Sequence, residues 1–357
     1  MYKVNMFMYT KENVLLGMSG GTDSSVSAFL LQQAGYNVIG VTFRFYEHND
    51  DQTYLQKASN MAKHLHMPHY IVDKRKDFQS IVIENFTNEY LAGRTPFPCA
   101  HCNTYLKWDA LLEQAHRLDC PHIATGHYVN TITKDNYTYL SMGKDIDKDQ
   151  TFFLWGMPQE AIERAIFPLG NLLYHEVQNI ATSNQLPVKQ NKNSVGACFC
   201  PTDYRPLLKK IATEKGIQIH QGIFTDEIGN FLGKHEGYPF YTIGQRRGLG
   251  LQHISPLYVK KINRETNSII VAPKESCYQT TVHLTGLLCR QLVEKEKQLT
   301  AKVQYKKQAC TATLDMINTS EALVTLHEPT LGMAPGQSIV LYDGDILIAG
   351  GIIQNAW

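Results

Sequence analysis

The run Gly17-Met18-Ser19-Gly20-Gly21-Thr22-Asp23-Ser24-Ser25 follows a β-rich stretch, NVLLGM, and leads into a helical pattern closed by Gly35. Glycines let a backbone approach a phosphate, hydroxyls donate to it, and a helix N-terminus adds oriented N–H groups and the positive end of its dipole. The Gly-Lys-Ser/Thr ending of a Walker A loop is absent, as is G-x-G-x-x-G spacing. A plain strand-to-helix turn capped by Asp23 or Ser24 is the competing reading. The second chemical feature is PFPCAHCNTYLKW, in which Cys99 and Cys102 form a C-x-x-C pair. Cys102 immediately precedes Asn103, which reads as the cap of a helix carrying Lys107 about a turn further on, and both features favour thiolate. Cys198 and Cys200 follow in SVGACFCPT, a loop with Gly196 and Pro201. Two separated thiols that meet in a fold can run persulfide transfer and disulfide release.

These residues need a frame. Residues 13 to 130 alternate short β-rich runs with helical patterns, including the helix IVIENFTNEYLAG, the helix from Asn103 through NTYLKWDALLEQAHRL and the strand HIATGHYV. This alternation is the sign of a doubly wound parallel sheet covered by helices, an α/β architecture. Residues from about 149 to 215 read as mainly helical, and beyond Gly216 the chain turns to Gly-rich turns and short strands. The expected organisation is a catalytic α/β domain over 10–215, a small central mostly-β domain over 216–276 and a C-terminal β-barrel over 277–357.

Composition narrows the class. With 43% hydrophobic and 19% charged residues, and no apolar run near the length of a bilayer span, a soluble protein without a membrane partner is expected. The opening residues show no basic stretch leading into a long apolar one, and a cytoplasmic protein is expected. Eight cysteines are too sparse for a disulfide scaffold. A net charge of +1 gives no global pull toward nucleic acid. Cys120, Cys277, Cys289 and Cys310 read as small core residues.

SGGTDS resembles the pyrophosphatase loop of the ATP-pyrophosphatase superfamily, whose members cleave ATP between its α and β phosphates and adenylate an oxygen. The resemblance implies that Ser19 through Ser24 hold the leaving pyrophosphate and that Asp23 helps place Mg2+. SGGTDSS, RTPFPCAHCN, ATGHY, KDQTFFLW, SVGACF, YTIGQRRGLG and the glycine-rich C-terminal ending then occur in the order found in the bacterial tRNA-specific 2-thiouridylase family. That resemblance runs from about Asn13 to the C-terminus. It implies a catalytic pair in which Cys198 accepts a persulfide sulfur and Cys102 works with it. It implies ATP on Gly17, Met18, Ser19, Gly20, Gly21, Thr22, Asp23 and Ser24, with Phe43 beside the adenine and Gly126 closing the pocket. Phe97, Pro98 and Cys99 fall where the family touches the target base. Lys148, Asp149 and Gln150, and Gln304 with Tyr305, fall where it touches tRNA. The partners implied are tRNA and a sulfur donor, either a persulfide carrier or a cysteine desulfurase.

Departures matter too. Many relatives have Asn-Pro-Asp where this chain has Phe97-Pro98-Cys99, so a thiol replaces a carboxylate; Phe43 replaces a common methionine, and Gln304 a usual arginine. Cys99, Cys102 and Cys198 could hold three irons of a [4Fe–4S] cluster whose fourth iron binds sulfide. Zinc completed by Cys200 or His101 is a weaker alternative, and Cys99 as a bystander is the simplest. Arg246 and Arg247 beside Gln245 in GQRRGLG, the pair Lys209 and Lys210, and Lys306 and Lys307 on an expected late strand offer cations to RNA phosphates, with a solvated turn the competing reading of GQRRGLG. His127 of ATGHY is the histidine nearest chemistry. Two rivals remain: an amidating synthetase using nitrogen, and an RNA-binding protein without turnover.

Overall fold

The computed structural model describes residues 12–47, 51–187, 197–200, 202–291, 293–294 and 296–357. They form two compact units. The first takes the chain up to Arg75, Lys107–Thr151 and the segment from Met157; the second takes Lys76–Leu106, Phe152–Gly156 and everything from Ala197 onward that is described.

The first unit is built on parallel strands β1 (Asn13–Gly17), β2 (Asn37–Arg44), β3 (His69–Asp73) and β4 (His122–Thr125). An antiparallel hairpin of β5 (Val129–Lys134) and β6 (Tyr137–Met142) follows, then the short β7 (Ala165–Ile166). The sheet order is β3-β2-β1-β4-β7. Central β1 carries Val14, Leu15 and Leu16 with no exposed surface, because helices cover both sheet faces and a fully buried parallel strand is apolar throughout. Burying each such side chain contributes roughly 1.5–3 kcal/mol. The helix Thr22–Gln33 lays Val26, Ala28 and Leu31 into the same core. Chain order reverses between β1 and β4, and the carboxyl ends of strands at such a switch point are where open α/β sheets place ligands. The expected strand HIATGHYV is shorter than the sequence suggests: it stops at Thr125, and Val129 opens the antiparallel hairpin instead.

The second unit holds a sheet of order β10-β11-β8-β9, made of β8 (Gly222–Thr225), β9 (Phe231–His235), β10 (Leu257–Asn263) and β11 (Ser268–Pro273). It also holds a six-stranded barrel of β12 (Tyr278–Cys289), β13 (Leu299–Lys302), β14 (Cys310–Met316), β15 (Glu321–Leu331), β16 (Ser338–Asp343) and β17 (Ile346–Ala356). Pairing of β12 with both β15 and β17 closes it and leaves no edge. The barrel expected for the C-terminal part is present, as is the doubly wound sheet. Segment Phe152–Gly156 seats on the barrel: Trp155 Nε1 donates to Ser338 Oγ at 3.1 Å, and Gly350 leaves room for the indole, since a Cβ there would lie 2.6 Å from Trp155 Cβ.

Candidate active site

The glycine-rich loop sits at the end of β1, held from below. Met18 N donates to Val41 O at 2.8 Å, and Thr42 Oγ1 donates to Met18 O at 2.9 Å. Gly20 has φ +72°, and a Cβ on it would lie 2.7 Å from Ala58 N, so backbone conformation and space both demand glycine. Gly21 is the N-cap of the helix Thr22–Gln33 and brings no side chain to its first-turn amides. Ser24 Oγ and Ser25 Oγ turn back to Gly21 O at 3.2 and 2.7 Å, which fixes the turn. Such a cradle of backbone amides at a helix start suits a phosphate chain.

Register carries the second side of the cradle. Gly17 pairs with Thr125, so Gly126 leaves β4 directly beside the loop. A Cβ on Gly126 would meet Asp23 C at 2.8 Å and Ser24 N at 2.9 Å, so only glycine allows this backbone approach. Tyr128 OH donates to Asp23 Oδ1 at 3.0 Å. Burial pushes the Asp23 carboxyl above its ordinary range, while the Tyr128 hydroxyl and the Lys148 charge pull it back. Burial and the facing Asp23 carboxylate also hold the Tyr128 phenol well above its ordinary value. Tyr128 escaped the sequence reading; its place two residues after Gly126 was the available signal.

His127 Nδ1 lies 2.7 Å from Thr125 Oγ1 and its Nε2 lies 3.4 Å from Lys107 Nζ. Burial, then the Lys107 ammonium, hold it well below the usual imidazole range, so it is neutral, with Nε2 the acceptor and Nδ1–H donating to Thr125. Phe43 is half-buried on β2 and stacks on Phe45 with ring centroids 5.5 Å apart. Lys148 Nζ sits 3.9 Å over the Tyr174 ring. Asp149 is 2% exposed, accepting from Gly143 N at 3.2 Å and Thr151 Oγ1 at 2.7 Å. Gln150 Oε1 accepts from Tyr128 N at 3.0 Å. The segment thus braces the connection between β4 and β5 that carries Tyr128.

Cys99, Cys102, Cys198 and Cys200 belong to the second unit. Cys99 and Cys102 lie on the helix Pro98–Cys102, whose N-cap is Phe97 and whose first residue is Pro98, so they are three apart and share a face. This corrects the expected start at Asn103. Pro98 has no N–H to lose at the first position, and Asn103 is fully helical, with its Nδ2 donating to Cys99 O at 2.9 Å. Cys99, and not Cys102, therefore occupies the first turn. Cys198 stands exposed at the corner of a tight turn closed by Cys200 N donating to Ala197 O at 2.9 Å. Next to it Phe199 is 4% exposed, with its ring 5.1 Å from Phe86 and 5.8 Å from Phe78. An aromatic anchor beneath the turn thus holds its corner outward. Burial raises the Cys200 thiol. Cys120 and Cys277 are buried, while Cys289 and Cys310 are half-buried; burial raises the thiol of each.

Two expected RNA-contact residues share one aromatic cluster. The Phe97 ring lies 5.3 Å from Phe152 and 5.4 Å from Phe153, and the Tyr305 ring lies 4.4 Å from Phe153. Phe152 and Phe153 were not singled out from sequence. Gln304 Nε2 donates to Gly332 O at 3.1 Å. Lys306 and Lys307 lie on the turn after β13, where a strand was expected. Lys209 pairs with Glu236 at 2.7 Å, whereas Arg246 and Arg247 are exposed on their glycine-rich loop. Among the described residues no group of three or more His, Cys, Asp or Glu side chains is arranged to hold a metal ion, so Cys99, Cys102 and Cys198 do not fit a cluster site as placed. No helix among them is long and apolar enough to cross a membrane.

Comparison with known proteins places this geometry. A model of the tRNA methyl transferase HUP domain matches residues 12–202, one of the tRNA methyl transferase PRC-barrel domain 209–273, and one of the aminomethyltransferase beta-barrel domain 278–353. The chain is 44% identical over 349 residues to tRNA-specific 2-thiouridylase MnmA 2 of Phocaeicola vulgatus, covering 96% of this chain and 98% of that protein. It is 43% identical over 364 residues to tRNA-specific 2-thiouridylase MnmA 1 of Bacteroides fragilis, covering 97% and 98%. With the relative of the same function name in Cytophaga hutchinsonii it shares 38% over 366 residues, covering 98% and 99%. The loop, the glycine that backs it and these full-length likenesses agree: the chain belongs to the tRNA-specific 2-thiouridylase family.

Proposed function

We propose that the protein is an ATP-dependent tRNA-uridine 2-sulfurtransferase acting on the wobble uridine of lysine-, glutamate- and glutamine-accepting tRNAs. The observation that carries the ATP half is the close approach of Gly126 to Asp23 and Ser24 beneath the uncapped helix start. The carbonyl-like O2 of uracil is a poor leaving group, and adenylation makes it a good one. In the first step O2 attacks the α-phosphorus of ATP, the bond to the β-phosphate oxygen breaks, and pyrophosphate leaves into the amides of Gly20 to Ser24. The Asp23 carboxylate is the group suited to a Mg2+ ion, which would offset the charge on those phosphates.

In the second step the terminal sulfur of a Cys198 persulfide attacks C2 and AMP leaves with the former O2. The Cys102 thiolate then attacks the inner Cys198 sulfur. A Cys102–Cys198 disulfide forms, the electron pair passes to the sulfur now on C2, and 2-thiouridine is released. An external thiol reductant returns both cysteines to the reduced state. The exposed corner held by Phe199 supports loading of Cys198 by a separate donor protein, a persulfide carrier or a cysteine desulfurase. Phe97 and Tyr305, joined through Phe153, supply rings on which unstacked bases can lie. Cluster-bound hydrosulfide as the sulfur source draws no support from the placement of the three cysteines, and the persulfide route is preferred. The test is tRNA-dependent release of pyrophosphate together with formation of 2-thiouridine; pyrophosphate without thiolation in the presence of a sulfur donor would favour another nucleophile.

A further inference from the structure

The second unit contains a cavity of about 400 Å³ that none of the roles above uses. One wall is the helix bearing Cys99 and Cys102, through Ala100 and His101; the facing wall is the barrel, through Ser338 of β16 and Ile352 to Gln354 of β17. Phe97 and Trp155 supply aromatic surface, and Asn85, Glu89, Arg94 and Gln354 supply polar groups. The walls are fixed. Gln337 Nε2 donates to both Thr95 O and Pro96 O at 2.9 Å, and Trp155 is tied to Ser338 at 3.1 Å. Arg94 Nε donates to Glu89 Oε2 at 2.7 Å and Nη2 donates to Oε1, a bidentate pair. Gly336 leaves room for it, because a Cβ there would lie 3.1 Å from Glu89 Oε2 and 2.8 Å from Thr95 O.

The chemistry of this lining is selective. A paired guanidinium and carboxylate carry little net charge, which disfavours a bare anion such as phosphate. Both retain capacity, since a guanidinium has five N–H donors and a carboxylate about four acceptor sites. The Asn85 and Gln354 amides each offer a donor beside an acceptor. Donor and acceptor groups lining one cavity with the Phe97 and Trp155 rings suit the edge and faces of a nucleobase, and the volume falls within the roughly 300–1,000 Å³ of small-ligand pockets. Phe97 joins this cavity to the aromatic cluster proposed for the target base. Resting on the tRNA-thiolating reading above, we propose that the cavity takes the base of a nucleotide flanking the target uridine and reads it through Asn85, Gln354 and the Glu89–Arg94 pair.

The experiment compares thiolation kcat/KM over transcripts differing only in the base 5′ or 3′ of the target uridine, for wild type, Gln354→Ala and Asn85→Ala. Gln354 is exposed, so its truncation leaves the fold intact. Wild type is expected to discriminate about tenfold or more among bases at one of the two positions, and the variants to flatten this to about twofold while keeping kcat on the preferred substrate. A wild type indifferent at both positions, or variants that retain its discrimination, would overturn the proposal and leave the sulfur-transfer reading standing. Failure of wild type to thiolate any transcript would instead sink both.

Discussion

Tyr128 OH donates to Asp23 Oδ1 across 3.0 Å, joining the chain beyond β4 to the first turn of the helix after the glycine-rich loop. This bond and the Gly126 contact hold the two sides of the proposed phosphate cradle in one arrangement. It also sets the charge state of Asp23, which burial alone would leave more protonated.

Asp23→Asn tests what that carboxylate is kept for. A carboxyl raised in the folded state contributes stability below its unfolded pKa and loses it as pH rises through the folded pKa, so at neutral pH the buried charge destabilises the fold. The variant should melt at higher temperature than wild type at pH 7, yet lose pyrophosphate release by about 100-fold or more. Tyr128→Phe removes an interaction that lowers the Asp23 pKa, and should move the acid limb of the pyrophosphate-release profile to higher pH.

Gly126→Ala places a methyl where backbone atoms of Asp23 and Ser24 lie 2.8 and 2.9 Å away, so the loop must shift. Calorimetric ATP affinity should fall by about tenfold or more, as expected when a positioned binding loop moves. Unchanged affinity would show that the close approach is incidental.

Phe199→Ala removes the anchor of the Cys198 turn. Truncating a buried Phe typically costs about 3–5 kcal/mol in a core, and the loss here should fall on one turn. Thiolation should drop by about tenfold with pyrophosphate release retained. Cys200→Ser, which replaces a half-buried thiol that burial keeps protonated, should thiolate at near wild-type rate.

His127 gives a pH signature in stability. Its folded pKa is depressed below its ordinary 6.5, so its contribution is present above that value and is lost as pH falls through the depressed folded value. Melting temperature measured from about pH 8 to about pH 5 should fall less steeply in His127→Gln than in wild type. Parallel curves would mean that the imidazole is not neutral in the fold.

The parallel sheet and the loop were legible because β1 is an apolar run followed by glycines, and both signals are local. The closed barrel was legible from its strand-and-turn rhythm. The helix start at Pro98 was misread because Asn103 has the side chain of a good cap, while the proline earlier in the same stretch had already supplied the first helical position. Tyr128, Phe153 and Phe199 were passed over for a different reason. Their partners Asp23, Tyr305 and Phe86 lie more than a hundred residues away in the chain, and no local pattern announces such contacts. The brace formed by Asp149 was equally hidden, since its partners Gly143 and Thr151 give an acidic residue no apolar period to reveal its burial.

In the proposed mechanism sulfur passes from Cys198 to the base. Protein whose Cys198 carries an isotopically labelled persulfide should be mixed with ATP and unmodified tRNA, without other sulfur, and the nucleosides analysed by mass spectrometry after one turnover. Labelled 2-thiouridine is expected in an amount matching the loaded protein, with none from Cys198→Ser or when ATP is omitted. Labelled sulfur left on the protein while added sulfide thiolates the tRNA at full rate would contradict it.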